Sequence, residues 1–140
     1  MRCHGFERTT FDLDLWVERS ARNAAKIARV IEKLAPGHVP NGTNWCAVFQ
    51  LEECLVEYPS IGPSKEVDML TDLGGMDFSE CYVRSTVSNV DGVSLRALCI
   101  QDLLKSKRLA LQLGTFEPGR VRDQADHDHL IARLRAARDL

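Results

Sequence analysis

From Phe11 to Val17 apolar and polar side chains alternate, and three residues later the repeat lengthens to that of a helix. The alternation puts Leu13, Leu15 and Val17 on one face of a strand and Asp12, Asp14 and Trp16 on the other. From Ser20, an N-cap residue type, Ala24, Ile27, Ala28, Ile31 and Leu34 form an apolar stripe, with Arg22, Lys26, Arg29 and Lys33 on the wet side. Pro36-Gly37 ends that helix. A strand that runs straight into an amphipathic helix must bury its apolar face against it, which commits the chain to layers of sheet and helix.

The rest of the chain keeps to that scheme. Trp45 to Leu51 and Glu53 to Tyr58 read as strands, Pro59 to Pro63 as a loop, and Lys65 to Leu70 as a further short strand. Asp72 to Gly75 turns the chain, and Asp77 to Cys81 is one helical turn. Val83 to Val90 and Val93 to Ile100 flank Asp91-Gly92, a two-residue hairpin signal of the type I′ kind. Gln101 to about Leu113 returns to helical spacing with Gly114 as its stop. A loop through Pro118-Gly119 leads to a last helix, Val121 to about Arg138. The fold class is α/β or α+β, a mixed sheet flanked by helices with two helices at the C-terminal end. With 140 residues and no long linker, one domain is expected, with an adequate core.

Composition excludes several classes. Hydrophobic types make up 44% and charged types 27%, the balance of a globular protein and not of a disordered tail. The 18 Lys and Arg against 20 Asp and Glu leave −2, divided as −4 over residues 1–100 and +2 over residues 101–140. That tilt is too mild to imply nucleic-acid binding by bulk electrostatics. No apolar run approaches the roughly 18 residues needed to span a bilayer, and Met1 to Arg8 carry no signal-peptide core, so a cytoplasmic protein without membrane contact is expected. Five cysteines, an odd number with no C-x-x-C pair, read as scattered reduced thiols.

Five residues break the local rules. Asp12 and Asp14 stand on one face of a strand, roughly 6.5–7 Å apart, where aspartate is depleted and like charges repel. A pair of carboxylates there either faces water at a sheet edge or holds a hard cation such as Mg²⁺. Asp68 lies inside the apolar run Val67-Asp68-Met69-Leu70 and brings a third carboxylate alongside if the strands are neighbours. Glu66 shares its face as the rival. Lys107 is mounted on an apolar stripe with Leu103, Leu104 and Leu111, and Asp126 on another with Leu130 and Leu134. They either pair across a helix–helix contact or point into a polar cleft, unless Lys107 carries its amine out to water on a buried stem. His127 and His129 are two apart in a helix and face different ways, so they are poor co-ligands. No G-x-S-x-G elbow, phosphate-binding G-x-x-x-x-G-K-[ST] loop or G-x-G-x-x-G is present.

These anomalies follow the order of a known family. The segment His4-Gly5-Phe6-Glu7-Arg8-Thr9-Thr10-Phe11-Asp12-Leu13-Asp14-Leu15 resembles the H-G-x-x-R-x-T-x-D-h-D-h motif of small bacterial nucleotidyltransferase-like proteins of the DNA polymerase-β superfamily. Some of these act as toxins of type IV toxin–antitoxin systems. Val67-Asp68-Met69-Leu70-Thr71 and Gly75-Met76-Asp77-Phe78 are similar to its h-D-h-L-T strand and the G-h-D-F that follows. Asp91-Gly92-Val93, Asp102-Leu103-Leu104-x-x-Lys107-Arg108 and Gly119-Arg120-x-x-Asp123-x-x-Asp126 resemble its closing section, with Leu111 to Pro118 as an insertion. The resemblance implies Asp12, Asp14 and Asp68 as Mg²⁺ ligands and catalytic carboxylates, and a nucleoside triphosphate as donor. It implies Arg8, Thr10, Lys107 and Arg120 near phosphate, and Asp123 and Asp126 in support. The acceptor stays open, a nucleic acid such as tRNA among the choices, and an antitoxin protein is an implied partner.

The match also has a gap. Relatives begin with a strand ending in Gly-Gly or Gly-Ser, whose backbone N–H groups help hold the phosphates. This chain starts at Met1-Arg2-Cys3-His4-Gly5, beyond that point, so the resemblance implies a shortened domain or a start further upstream. A sheet short of one internal strand has an open edge, and the expectation is a homodimer, active or catalytically dead.

Overall fold

The computed structural model describes residues 12–34, 44–50, 55–58, 66–90, 92–113 and 117–137. It is an α+β structure whose described residues fall into two compact units, one within Thr9–Leu73 and one within Gly74–Leu140.

The first unit holds β1 (Asp12–Trp16), α1 (Ala21–Leu34), α2 (Trp45–Val48), β2 (Leu55–Tyr58) and β3 (Glu66–Leu70). The strands form one mixed sheet in the order β1-β3-β2, with β1 parallel and β2 antiparallel to β3. Parallel neighbours need a crossover between them, which here contains α1. Ser20 caps α1 as its residue type predicts. Its Oγ accepts from the Asn23 N–H at 3.3 Å and its carbonyl from the Ala24 N–H at 2.8 Å. The apolar stripe of α1 then packs on the sheet, where Ala24, Ile31, Phe49 and Met69 form a buried cluster flanked by Val17, Ile27, Cys46 and Val67.

Trp45 to Val48 form a helix and not the strand that the apolar run Trp45 to Leu51 suggests, and Leu51 itself lies outside the described residues. The Ala47 N–H donates to Asn44 Oδ1 at 3.2 Å and the Val48 N–H to the Asn44 carbonyl at 3.0 Å, so Asn44 caps a single helical turn. That turn delivers Phe49 into the core, where it is fully buried. A short apolar run has no period of its own, and the cap decided it.

The second unit holds α3 (Phe78–Arg84), the hairpin β4 (Thr86–Val90) and β5 (Val93–Ala97), α4 (Ile100–Leu113) and α5 (Glu117–Ala136). Asp77 caps α3, its carboxylate accepting from the Glu80 N–H at 2.9 Å and the Ser79 hydroxyl at 2.6 Å. The helix runs through Val83 and Arg84, which alternation had assigned to the following strand; the capped first turn propagates until Ser85 breaks it. Ile100 likewise belongs to α4 and not to β5. The last helix starts at Glu117, so Pro118 and Gly119 lie in its first turn and not in a loop. Proline is tolerated there because the first helical N–H groups have no partner to lose.

The hairpin has the expected two-residue connection, with Val90 opposite Val93. Gly92 has φ +82°, and its N–H donates to Asn89 Oδ1 at 2.9 Å. A two-stranded ribbon alone is marginal, and Arg96 fastens this one to α3. Its guanidinium lies 4.4 Å from the Tyr82 ring centroid, and Nη1 donates to Ser85 Oγ at 2.9 Å. Gly74 also has positive φ (+62°), and a Cβ there would approach Leu109 Cδ1 to 3.1 Å, whereas one on Gly92 would meet open space. Gly92→Ala is therefore expected to lose about 1–2 kcal/mol from the backbone alone, and Gly74→Ala more than that, as read from urea unfolding midpoints.

Candidate functional site

The acidic residues come together through strand register. Asp14 is the direct neighbour of Asp68, and Asp12 of Glu66, across the parallel β1–β3 ladder. Adjacent strands lie about 4.8 Å apart and paired residues share a face, so Asp14 and Asp68 stand side by side. The opposite face carries Val67 and the buried Met69 toward α1, which leaves the acids on the side away from that core. Two carboxylates this close favour a hard cation between them, and their oxygen donors suit Mg²⁺.

Register adds a residue the motif reading missed. Glu57 of β2 is the antiparallel partner of Asp68, which makes Asp14, Asp68 and Glu57 one row across three strands. Its signal was an acid inside the apolar run Leu55-Val56-Glu57-Tyr58. Asp12 takes its expected place on the backbone of β1, two residues before Asp14, but its side chain lies outside the described residues. Among the described residues no group of three His, Cys, Asp or Glu side chains is placed to hold a metal ion. No family model, curated protein or solved structure matches this chain. The site therefore rests on its own geometry.

Arg8 and Thr10 lie outside the described residues, as does the side chain of Arg120. Lys107 is well placed on the contact between α4 and α5. Its Nζ donates to Asp123 Oδ1 at 2.6 Å and lies 3.1 Å from Asp126 Oδ2. Of the roles open to it from sequence, pairing with Asp126 is the one the geometry shows, and Asp123 joins as a second partner. Lys107 is 20% exposed and Asp126 fully buried, so this is a desolvated ion triad at a helix–helix contact. Desolvation pulls the lysine pKa down, the hydrogen bonds and charges of Asp123 and Asp126 push it up, and the net direction is upward.

A second ionic cluster was not foreseen. Arg84 grips Asp102 with two parallel bonds, Nε to Oδ2 at 3.1 Å and Nη2 to Oδ1 at 3.0 Å. The Cys99 thiol donates to Asp102 Oδ2 at 3.2 Å, and Arg84 Nη2 also approaches the buried Cys81 Sγ at 3.6 Å. Arg84 lies 18 residues from Asp102, so no local spacing announces the pair. The Arg84 hydrogen bonds hold the Asp102 carboxyl below its ordinary value of 3.8. A lowered folded value stabilises the fold above the unfolded value and loses that contribution as pH falls through the folded one. Urea unfolding of the wild type between pH 6 and pH 2 is expected to show a loss of stability below about pH 4. Asp102→Asn is expected to be less stable at pH 6 and flatter across that window.

On the far surface of α4 and α5, Arg108 Nε donates to His127 Nε2 at 3.3 Å, and His127 Nδ1 lies 3.2 Å from Asp128 Oδ1.

Proposed function

We propose that this chain is a nucleotidyltransferase-fold protein that transfers a nucleoside monophosphate from a nucleoside triphosphate, with Asp12, Asp14 and Asp68 as its Mg²⁺-binding carboxylates. The observation that supports the reading is the side-by-side register of Asp14 and Asp68 on parallel strands, with Asp12 two residues before Asp14 on the backbone of β1. The donor set fits the ion, because aspartates on neighbouring strands supply hard oxygens from two directions. Bound there, Mg²⁺ supplies charge neutralisation for the triphosphate and polarises its α-phosphorus. Asp12 and Asp14 would hold the ion as a pair, and Asp68, the third carboxylate, would also accept the proton of an attacking hydroxyl. Arg8, Thr10 and Arg120 are the proposed phosphate contacts. Lys107 is instead assigned to the ion triad, with Asp123 and Asp126 as its partners.

Titration calorimetry with Mg²⁺ and each of ATP, GTP, CTP and UTP tests the proposal. Saturable, Mg²⁺-dependent binding of at least one triphosphate is expected. Absence of any binding that depends on Asp12 and Asp14 rejects the catalytic reading.

A second reading has an observation of its own. Among the described residues β1 has a strand neighbour on one side only, and Leu13 and Leu15 are exposed along it. Such an edge favours pairing with another chain. The corresponding proposal is a homodimer that acts as an inactive interaction module, for example toward an antitoxin protein. Sedimentation equilibrium decides it, and the mass of a single chain would reject the dimer.

A further inference from the structure

The helix that packs behind the acidic sheet carries a second, separate feature. Arg22, Lys26, Arg29 and Lys33 succeed one another at intervals of four, three and four along α1. At 3.6 residues per turn they fall within an arc of roughly 60° and extend about 16 Å along the axis. All four are exposed, on the side of the helix opposite the buried Ala24, Ala28 and Ile31. None makes an ion pair or hydrogen bond with a side chain among the described residues.

Helix stability does not account for this row. The first turn of α1 contains no acid and includes Arg22, where the macrodipole disfavours a cation. Only Lys33, in the last turn, is favourably placed. The row also lacks what other partners require. Protein interfaces rely on aromatic or aliphatic anchors in a desolvated centre and are depleted in lysine, and here the exposed Val30 borders the row and no apolar residue lies within it. Membrane-surface helices insert their apolar face, and that of α1 is already buried against Phe49 and Met69. A phosphate backbone needs only a row of cations, with no pocket and no anchor.

We infer that the exposed face of α1 binds the phosphate backbone of a nucleic acid, without sequence preference, through Arg22, Lys26, Arg29 and Lys33. The overall charge of −2 conceals the site, because the four cations are gathered on one helix face while the acids, apart from Glu32 beside the row, are spread along the rest of the chain. This surface is independent of the nucleotide reading, since it uses none of Asp12, Asp14 or Asp68.

Fluorescence anisotropy with a labelled mixed-sequence 20-nucleotide RNA, and with a 20-base-pair DNA duplex, tests it on the full chain. Four phosphate contacts are expected to weaken binding about 50- to 150-fold between 50 and 200 mM NaCl. The variant carrying Arg22→Gln, Lys26→Gln, Arg29→Gln and Lys33→Gln keeps good helix formers and is expected to bind at least tenfold more weakly at 50 mM, with most of the salt dependence gone. Far-UV circular dichroism and the melting temperature check that it folds. The single change Glu32→Lys, beside the row, is expected to tighten binding. Three results would overturn the proposal: no binding by the wild type at 50 mM NaCl, a fourfold variant within twofold of wild type, or capture of anionic vesicles or poly-glutamate in preference to both nucleic acids.

Discussion

Lys107→Met is expected to lower the melting temperature by about 6–20 °C. The substitution keeps the length and apolar stem of the lysine and removes only its charge, leaving Asp126 fully buried with its cation gone. Breaking a buried pair from one side costs about 3–5 kcal/mol, because the remaining charge loses this counter-ion in a poor solvent. For a chain of this size each kcal/mol shifts the midpoint by about 2–4 °C. The companion variant Lys107→Met with Asp126→Leu removes both charges, and Asp123, which is partly exposed, can turn to water. It is expected to recover most of the loss, since well-packed apolar residues often replace a buried pair at little cost. The pH dependence follows from the raised lysine value. The contribution is fully present below the ordinary 10.5 and disappears only as pH rises through the folded value, so the wild type and the single variant converge in strong alkali. Thermal melts without nucleotide read all of this, and a single variant that melts with the wild type would return Lys107 to the role of a phosphate contact.

Asp14→Asn is expected to abolish Mg²⁺-dependent nucleotide binding and to reduce any transfer activity at least about 100-fold, while leaving the melting temperature equal or higher. Even residues that only support metal ligands change affinity 10- to 100-fold when replaced, and a ligand itself sets a higher floor. The rise in stability follows from register. Asp14 and Asp68 are direct neighbours, and replacing one of two like-charged carboxylates lowers their mutual repulsion. Opposite movements of stability and binding in one variant mark a functional carboxylate and separate it from a structural one. A drop in both would make Asp14 part of the framework. Glu57→Gln is the informative partner, because it stands on the other side of Asp68 in the same row. Retained binding in Glu57→Gln alongside loss in Asp14→Asn would confine the metal to β1 and β3.

The elements most legible in the sequence were those whose periodicity and cap agreed. Alternation and helical spacing placed β1, α1, β3 and α4 within a residue or two of their ends, and Ser20 and Asp91-Gly92 marked a cap and a turn. Alternation failed where a polar side chain settled the backbone locally. Asn44 turned Trp45 to Val48 into a helix, and Asp77 carried α3 through Val83 and Arg84. Pro118 and Gly119 read as punctuation, yet in the first turn of a helix neither is a breaker.

The sequence by itself determined which residues are anomalous, because an aspartate in a strand or a lysine on an apolar stripe violates a rule that holds over five or six neighbours. It could not determine what those residues meet. Asp14 beside Asp68 is a matter of register between strands more than fifty residues apart, and Glu57 enters the row only through the antiparallel partner of β3. Lys107 with Asp123 and Asp126, and Arg84 with Asp102, likewise exist only once helices pack. Periodicity is a property of a segment and survives in one dimension. Register, desolvation and ion pairing arise between segments, so the tertiary structure alone decided them.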